Sequence, residues 1–264
     1  MKETIFPAYV VVDFSESMGR PVDTSTSKTR IDVATEIIPA LLESMENDSN
    51  IAESLRVRVI GFNDSIVFCT ELFDYDELKS WYKEKKNSFK KMCEYQTWYG
   101  AAFKKLNECI DKDMDQIVRN GESYFRPLVY FLTDGKPYGE NPNSRETNYR
   151  ALVTNKDSHR RPVILCVGIG PEDMSILKQY GASRLDTKNN EYRYGNEKMT
   201  FVIRSGVKTG SGLSILNDKV VSTIKYSLQR RSGTSINEID TSVINDKEAG
   251  ADLLAFFNRG DNLK

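Results

Sequence analysis

Asp13, Ser15 and Ser17 alternate through the run Asp13-Phe14-Ser15-Glu16-Ser17, directly after the apolar stretch Tyr9 to Val12. One carboxylate and two hydroxyls on a single turn can aim three oxygens at one point, and hard oxygens favour a hard cation. Magnesium takes about six oxygen ligands near 2.1 Å and keeps some of its water, so a site with few carboxylates and several hydroxyls suits Mg2+, or Mn2+. Thr97 and Asp134 each fall near the start or end of a predicted element and can supply further oxygens. Glu16 adds a carboxylate beside this set. It either points to solvent or tempers the cation's demand for an acidic ligand.

Other residues around these loops have two readings each. Trp98 and Tyr99 follow Thr97, and an aromatic pair at a rim often anchors an interface; alternatively one ring packs beneath the loop. Lys136, Pro137 and Tyr138 follow Asp134 either as contact residues for a partner or as ordinary solvated loop.

An enzymatic reading competes with the binding reading, because a strand-end aspartate with magnesium also suits a phosphatase or phosphotransferase working through Asp13. That chemistry wants a second acid two residues later, where Ser15 stands. His159 is the single histidine and sits in the polar segment Asp157 to Arg161, with no serine nucleophile motif in view, so it reads as a surface residue. Gly168-x-Gly170 lacks the third glycine of a dinucleotide fingerprint and reads as a strand-to-helix turn. The expectation is a protein that is not an enzyme.

The elements that must position these residues alternate. Tyr9 to Val12, Leu128 to Leu132 and Val163 to Val167 are uninterrupted apolar runs, as in strands buried on both faces of a parallel sheet. Ile31, Ala34, Ile37, Leu41 and Met45 recur at helical spacing, with Thr29 as a cap, Asp32 three residues on, and Pro39 as an expected kink. Leu55, Val57, Val59 and Gly61 alternate with Arg56 and Arg58, which predicts a strand with one wet face near the sheet edge, followed by Ile66 to Cys69. Asp74 to Lys91 reads as a lysine-rich surface helix, and Ala102, Leu106, Ile110, Met114 and Ile117 mark a better buried one.

A helix is expected over Glu172 to Tyr180, a polar hairpin or loop over Asn189 to Lys198, a last strand over Met199 to Ile203 and a closing helix over Ile215 to Leu228. Strands alternating with helices in this way imply right-handed crossovers and an α/β fold with a doubly wound, mostly parallel sheet. Ligands in such folds sit beyond the carboxyl ends of the strands, where Asp13 and Asp134 fall.

Composition narrows the function classes. With 37 Lys and Arg against 38 Asp and Glu, the net charge of -1 gives no global field toward nucleic acid or an anionic membrane. Cys69, Cys93, Cys109 and Cys166 are far apart in sequence and read as reduced core thiols. No basic flank precedes an apolar core in Met1 to Pro7, and no segment stays apolar long enough to span a bilayer, so the expected location is the cytoplasm.

Taken together, Asp13-x-Ser15-x-Ser17 after Val10-Val11-Val12, Thr97 in Thr97-x-x-Gly100-Ala101-Ala102, and Thr133-Asp134-Gly135 after an apolar strand resemble the three loops of the metal-ion-dependent adhesion site of von Willebrand factor A domains. They occur in the family's order, and the resemblance covers roughly Tyr9 to Tyr180. It implies that Ser15, Ser17 and Thr97 offer hydroxyls, that Asp13 and Asp134 act directly or through water, and that an Asp or Glu of a protein partner completes the coordination. The expected organisation is one such domain over residues 1–231 and a polar tail over 232–264 with a short helix at 251–257.

The chain is most similar in size and character to bacterial members found with tellurium-resistance and related stress or phage-defence systems. There a kinase-like protein or a phosphatase encoded nearby is the implied partner. One departure is local: the family commonly has glycines before the threonine, where this chain has Cys93-Glu94-Tyr95-Gln96, which implies another path for the second loop. A scaffold using the same fold without metal is the third class, since the tail and the lysine-rich segment could each carry a partner.

Overall fold

Nine strands and six helices build the part of the chain that the computed structural model describes, residues 4–22, 27–154, 157, 159–170, 174–186, 191–195 and 199–203. The strands are β1 (Thr4–Asp13), β2 (Leu55–Phe62), β3 (Ile66–Cys69), β4 (Ser123–Tyr124), β5 (Leu128–Thr133), β6 (Val163–Ile169), β7 (Ala182–Asp186), β8 (Glu191–Tyr194) and β9 (Thr200–Ile203). The helices are α1 (Arg30–Ala34), α2 (Ile37–Asn47), α3 (Ser49–Ser54), α4 (Tyr75–Lys85), α5 (Tyr99–Arg119) and α6 (Pro142–Val153).

The sheet runs β3-β2-β1-β5-β6-β7-β8, with β4 beside the start of β1 and β9 parallel to β6. Its centre, β2-β1-β5-β6, is parallel, whereas β3, β7 and β8 pair antiparallel. This is the mostly parallel, helix-flanked sheet expected from the alternation of elements.

Both faces of the central strands are covered, which is why their sequences are apolar without interruption. Phe6, Ala8, Val10 and Val12 of β1 join Tyr130 of β5 and Leu165 of β6 in a core with Ile31, Ile38, Leu41 and Met45. The intervening residues Tyr9, Val11, Phe131 and Cys166 face the opposite way, against Phe103, Leu106, Ile110 and Met114 of α5 and Tyr149 of α6. Full burial of one such Val or Leu side chain contributes about 1.5–3 kcal/mol, so the register of these strands is strongly specified.

The first predicted helix is two. Thr29 caps α1 in a reciprocal box with Asp32, and the break falls at Thr35 and Glu36, four residues before Pro39. Proline lacks the N–H that would bond the carbonyl of Thr35 and its ring would clash with that carbonyl, so the axis restarts ahead of it. Asp74 and Glu77 form a second capping box at α4, which ends at Lys85; the rest of the lysine-rich segment turns as a 3-10 helix, Phe89–Met92.

Two expectations are corrected. Arg58 is buried rather than on a wet face, because α5 covers that side of β2 and Asp113 of α5 takes its charge. Among the described residues, the segment expected as a helix up to Tyr180 forms only a 3-10 turn, Leu177–Gln179. In the segment expected as a polar hairpin or loop, 189–198, Glu191–Tyr194 form β8, whose antiparallel partner β7 lies ahead of that segment. The closing helix at 215–228, the boundary at 231 and the tail with its 251–257 helix lie outside the described residues.

Candidate metal centre

Three loops meet beyond the carboxyl ends of β1 and β5, and backbone hydrogen bonds lace them together. The second loop crosses the first through Glu94 N–H to the Phe14 carbonyl at 2.9 Å and Glu16 N–H to the Tyr95 carbonyl at 3.2 Å. It meets the third through Tyr138 N–H to the Thr97 carbonyl at 2.9 Å, and it is held from the turn after β2 by Trp98 N–H to the Asn63 carbonyl at 2.8 Å. Glu140 of the third loop accepts the Gly100 N–H at 2.8 Å, a cap for α5 that Trp98 at the N-cap position does not provide with its own side chain. These bonds satisfy backbone groups that would otherwise be stranded, and they bring residues 13, 97 and 134 to one end of the sheet.

The oxygens form a connected set. Asp13 accepts the Ser15 N–H on Oδ1 at 2.8 Å and the Thr133 hydroxyl on Oδ2 at 2.6 Å. Ser15 Oγ and Ser17 Oγ are 3.2 Å apart, and the Ser17 hydroxyl donates to Asp134 Oδ1 at 2.9 Å. Asp13, Ser15, Thr97 and Asp134 are all buried. The structure thus joins Asp13 to Ser15 through a backbone N–H and Ser15, Ser17 and Asp134 through their side chains, while Thr97 lies on the adjoining loop, where its carbonyl accepts the Tyr138 N–H.

The electrostatics suit a cation. Burial and then the neighbouring charge of Asp134 push the Asp13 carboxyl up to about 7, against the hydrogen bonds from Thr133 and Ser15 that hold it down. A divalent ion would relieve that repulsion. Among the described residues no three His, Cys, Asp or Glu side chains gather at one point, so the donors here are two carboxylates among hydroxyls, an all-oxygen set that fits Mg2+ or Mn2+.

Sequence reasoning missed several residues of this site. Arg30, at the start of α1, puts Nη1 2.5 Å from Asp134 Oδ2 in a buried ion pair. Nothing local to either residue marks it, since 104 positions separate them. Thr133 was legible only as part of a Thr-Asp-Gly run. Tyr95 adopts φ 65, the one non-glycine residue with positive φ among the described residues, and the residue is 66% exposed. The second loop therefore keeps a left-handed turn without a glycine, at a cost of about 1–3 kcal/mol for a non-glycine residue. Gly139, at φ +81, leaves room that Gln96 fills: a Cβ there would lie 1.8 Å from Gln96 Oε1.

The rim residues sort by burial. Trp98 is 36% exposed and Tyr138 70% exposed, and Lys136 is also exposed. Glu16 points outward toward Arg20, at 3.4 Å. Tyr99 is no rim residue. It is fully buried against Phe62, Phe103 and Phe131, with its hydroxyl on the Gly135 carbonyl, because it occupies the first turn of α5 on the face that packs on the sheet.

No family model and no curated protein matches the sequence. Solved structures do resemble the fold. A von Willebrand factor type A protein from Catenulispora acidiphila superposes with TM-score 0.55 at 15% identity, over 83% of this chain and 43% of that one. The pilus adhesin SpaC from Lactobacillus rhamnosus GG superposes with TM-score 0.55 at 10% identity, over 86% of this chain and 31% of that one. Proximal thread matrix protein 1 from the mussel byssus, with a zinc-occupied MIDAS motif, gives TM-score 0.50 at 15% identity, over 84% of this chain and 49% of that one. The chain spans less than half the length of each. At these identities the likeness speaks for architecture alone: the chain has a von Willebrand factor A-like fold.

Proposed function

We propose that this chain is a protein-binding module whose binding depends on one divalent cation, Mg2+ or Mn2+, held by Asp13, Ser15, Ser17, Thr97 and Asp134. The observation that carries the reading is the joined oxygen set at the carboxyl end of the parallel sheet, with an aspartate pushed up to about 7 partly by a second carboxylate. The zinc-occupied MIDAS motif in a protein of the same fold supports it. With two carboxylates among its ligands a bound cation would keep an appetite for one more anionic oxygen, which an Asp or Glu of the partner would supply.

Asp13, Ser15, Ser17 and Thr97 would hold the ion, and Asp134 would take part directly or through Ser17. Tyr95, Trp98 and Tyr138 offer apolar contact around that acidic residue. We read the module as recognising rather than catalysing, because Ser15 stands where a phosphatase would carry its second acid. No helix among the described residues is long and apolar enough to cross a membrane. Resemblance alone supports the finer reading of a cytoplasmic bacterial protein in tellurium-resistance-like stress or phage defence, with a kinase-like protein or phosphatase as partner.

One observation favours a metal-independent scaffold as the second reading: Arg30 already supplies a buried positive charge to Asp134. Calorimetric titration of Mn2+ and Mg2+ into the protein and into Asp13→Ala separates the two, with Trp98 fluorescence as a local probe. Binding that the substitution abolishes, together with partner capture that a chelator reverses, is the expected result. Equal heats for both proteins would leave the scaffold reading, and phosphatase turnover lost in Asp13→Ala would point to the enzyme.

A further inference from the structure

A second cluster lies away from the loops, where the edge strand β3 meets α5. Cys69 is the last residue of β3 and is half-buried; Cys109 of α5 is buried. Their sulfurs are 3.6 Å apart, although 40 positions separate them in the chain. Arg58 of β2 reaches Cys69 Sγ with Nη1 at 3.6 Å and also donates to the Thr70 carbonyl. Its remaining nitrogens are fixed by Asp113, Nε to Oδ2 at 2.8 Å and Nη2 to Oδ1 at 2.6 Å, so the guanidinium cannot swing away from the sulfur without breaking a buried ion pair.

Two packed core thiols would be the ordinary explanation of a cysteine pair. Core packing does not account for a held arginine on one of them. A cation beside a partly exposed thiol stabilises the thiolate, and a second thiol within van der Waals reach is what a resolving cysteine requires.

We propose that Cys69 and Cys109 are a reversible thiol–disulfide site, with Cys69 as the sulfur that a small peroxide oxidises and Cys109 as the resolving thiol. In the first step the Cys69 thiolate attacks a peroxide oxygen, the O–O bond breaks, and the displaced hydroxide is protonated to water, leaving a sulfenic acid. In the second, the Cys109 sulfur attacks Cys69 Sγ and gives up its proton, the S–O bond breaks, and hydroxide leaves with that proton as a second water. Two thiols and one peroxide become one disulfide and two waters, and a dithiol reductant returns the pair.

Closing the sulfurs from 3.6 Å to a bond of about 2.05 Å needs a side-chain adjustment at the edge of the sheet. The protonation states agree with the assigned roles. The hydrogen bond with Cys109 and then Arg58 hold the Cys69 thiol down to about 6 despite burial, while that same bond and burial push Cys109 well up. Cys93 and Cys166 are the internal controls: burial raises both, Cys93 to about 12. The bridge would pin β3 to α5, the helix whose first turn follows Thr97.

The test treats the full chain with hydrogen peroxide, alkylates the remaining thiols, digests without reductant and maps the peptides by mass spectrometry. The expected result is a Cys69–Cys109 linked peptide, a loss of two hydrogens from the intact mass, reversal by dithiothreitol, and alkylation of Cys93 unchanged. Cys109→Ser should stop at oxidised Cys69 with no link, and Cys69→Ser should lower peroxide consumption more than about tenfold. Recovery of both thiols unmodified, a link through Cys93 or Cys166, or sulfinic acid at Cys69 of the unsubstituted protein without a link would each overturn the proposal.

Discussion

Two buried clusters of charge differ in how completely they are satisfied. Around Arg58, one guanidinium meets the Asp113 carboxylate in a two-pronged contact, Tyr9 adds its hydroxyl to Asp113 at 3.0 Å, and Glu71 covers the outer nitrogen at 3.2 Å. Around Asp13, two carboxylates share one end of the sheet, hydroxyls fill the spaces between them, and Arg30 pairs with Asp134. A closed cluster of the first kind locks β2 to α5. An arrangement of the second kind leaves two buried carboxylates facing one arginine, with the half-buried Ser17 on its outer side, and such an excess of negative charge is what a cation site needs. The pair teaches that burial of charge alone does not mark a functional centre; the sign of the imbalance does.

The strongest way to break this contrast is Asp113→Ala, which leaves Arg58 buried without its carboxylate. Urea unfolding should show a loss of about 3–5 kcal/mol, the ordinary cost of breaking a buried pair from one side. Asp13→Asn should instead weaken Mn2+ binding more than about tenfold in calorimetry. It should cost far less stability than Asp113→Ala, since it removes a carboxylate that a like charge opposes. If the two substitutions destabilise equally, the distinction between closed and open clusters fails.

Arg30→Met keeps the apolar stem but withdraws the cation from Asp134. Mn2+ affinity should rise about tenfold, because a positive charge close to the ion opposes it; a fall would mean that Arg30 shapes the site rather than competing at it. A pH profile sharpens the other cluster. Arg58 of β2 and Cys109 and Lys105 of α5 face Cys69, and a thiol held down to about 6 is thiolate above that pH. Iodoacetamide labelling of Cys69 should therefore climb through pH 6 and level off by about pH 8, short of the ordinary thiol range near 8.5. Cys93, pushed up to about 12, should stay slow throughout. The smallest effect belongs to Tyr95→Gly: relief of the left-handed backbone and the added freedom of glycine in the unfolded chain oppose each other, so stability should move by less than about 1 kcal/mol.

What the sequence by itself determined is local or periodic. The apolar runs specified central strands buried on both faces, Thr29 with Asp32 specified a helix start, and Asp13-x-Ser15-x-Ser17 with Thr133-Asp134-Gly135 specified oxygens at two strand ends. The cap of α6 is equally local, since Asn141 accepts the Asn143 N–H ahead of the helix that opens with Pro142.

The tertiary structure alone decided the pairings across the sheet. Arg58 alternates with apolar residues as a solvated residue would, and only the placement of α5 over β2 turns it inward to Asp113, 55 positions away. Likewise Arg30 finds Asp134, Cys69 finds Cys109 and Tyr99 sinks beneath the loop it follows, because crossover connections and helix rotation set these contacts. Periodicity tells which face of an element is apolar; it carries no information about which distant charge the opposite element brings to that face.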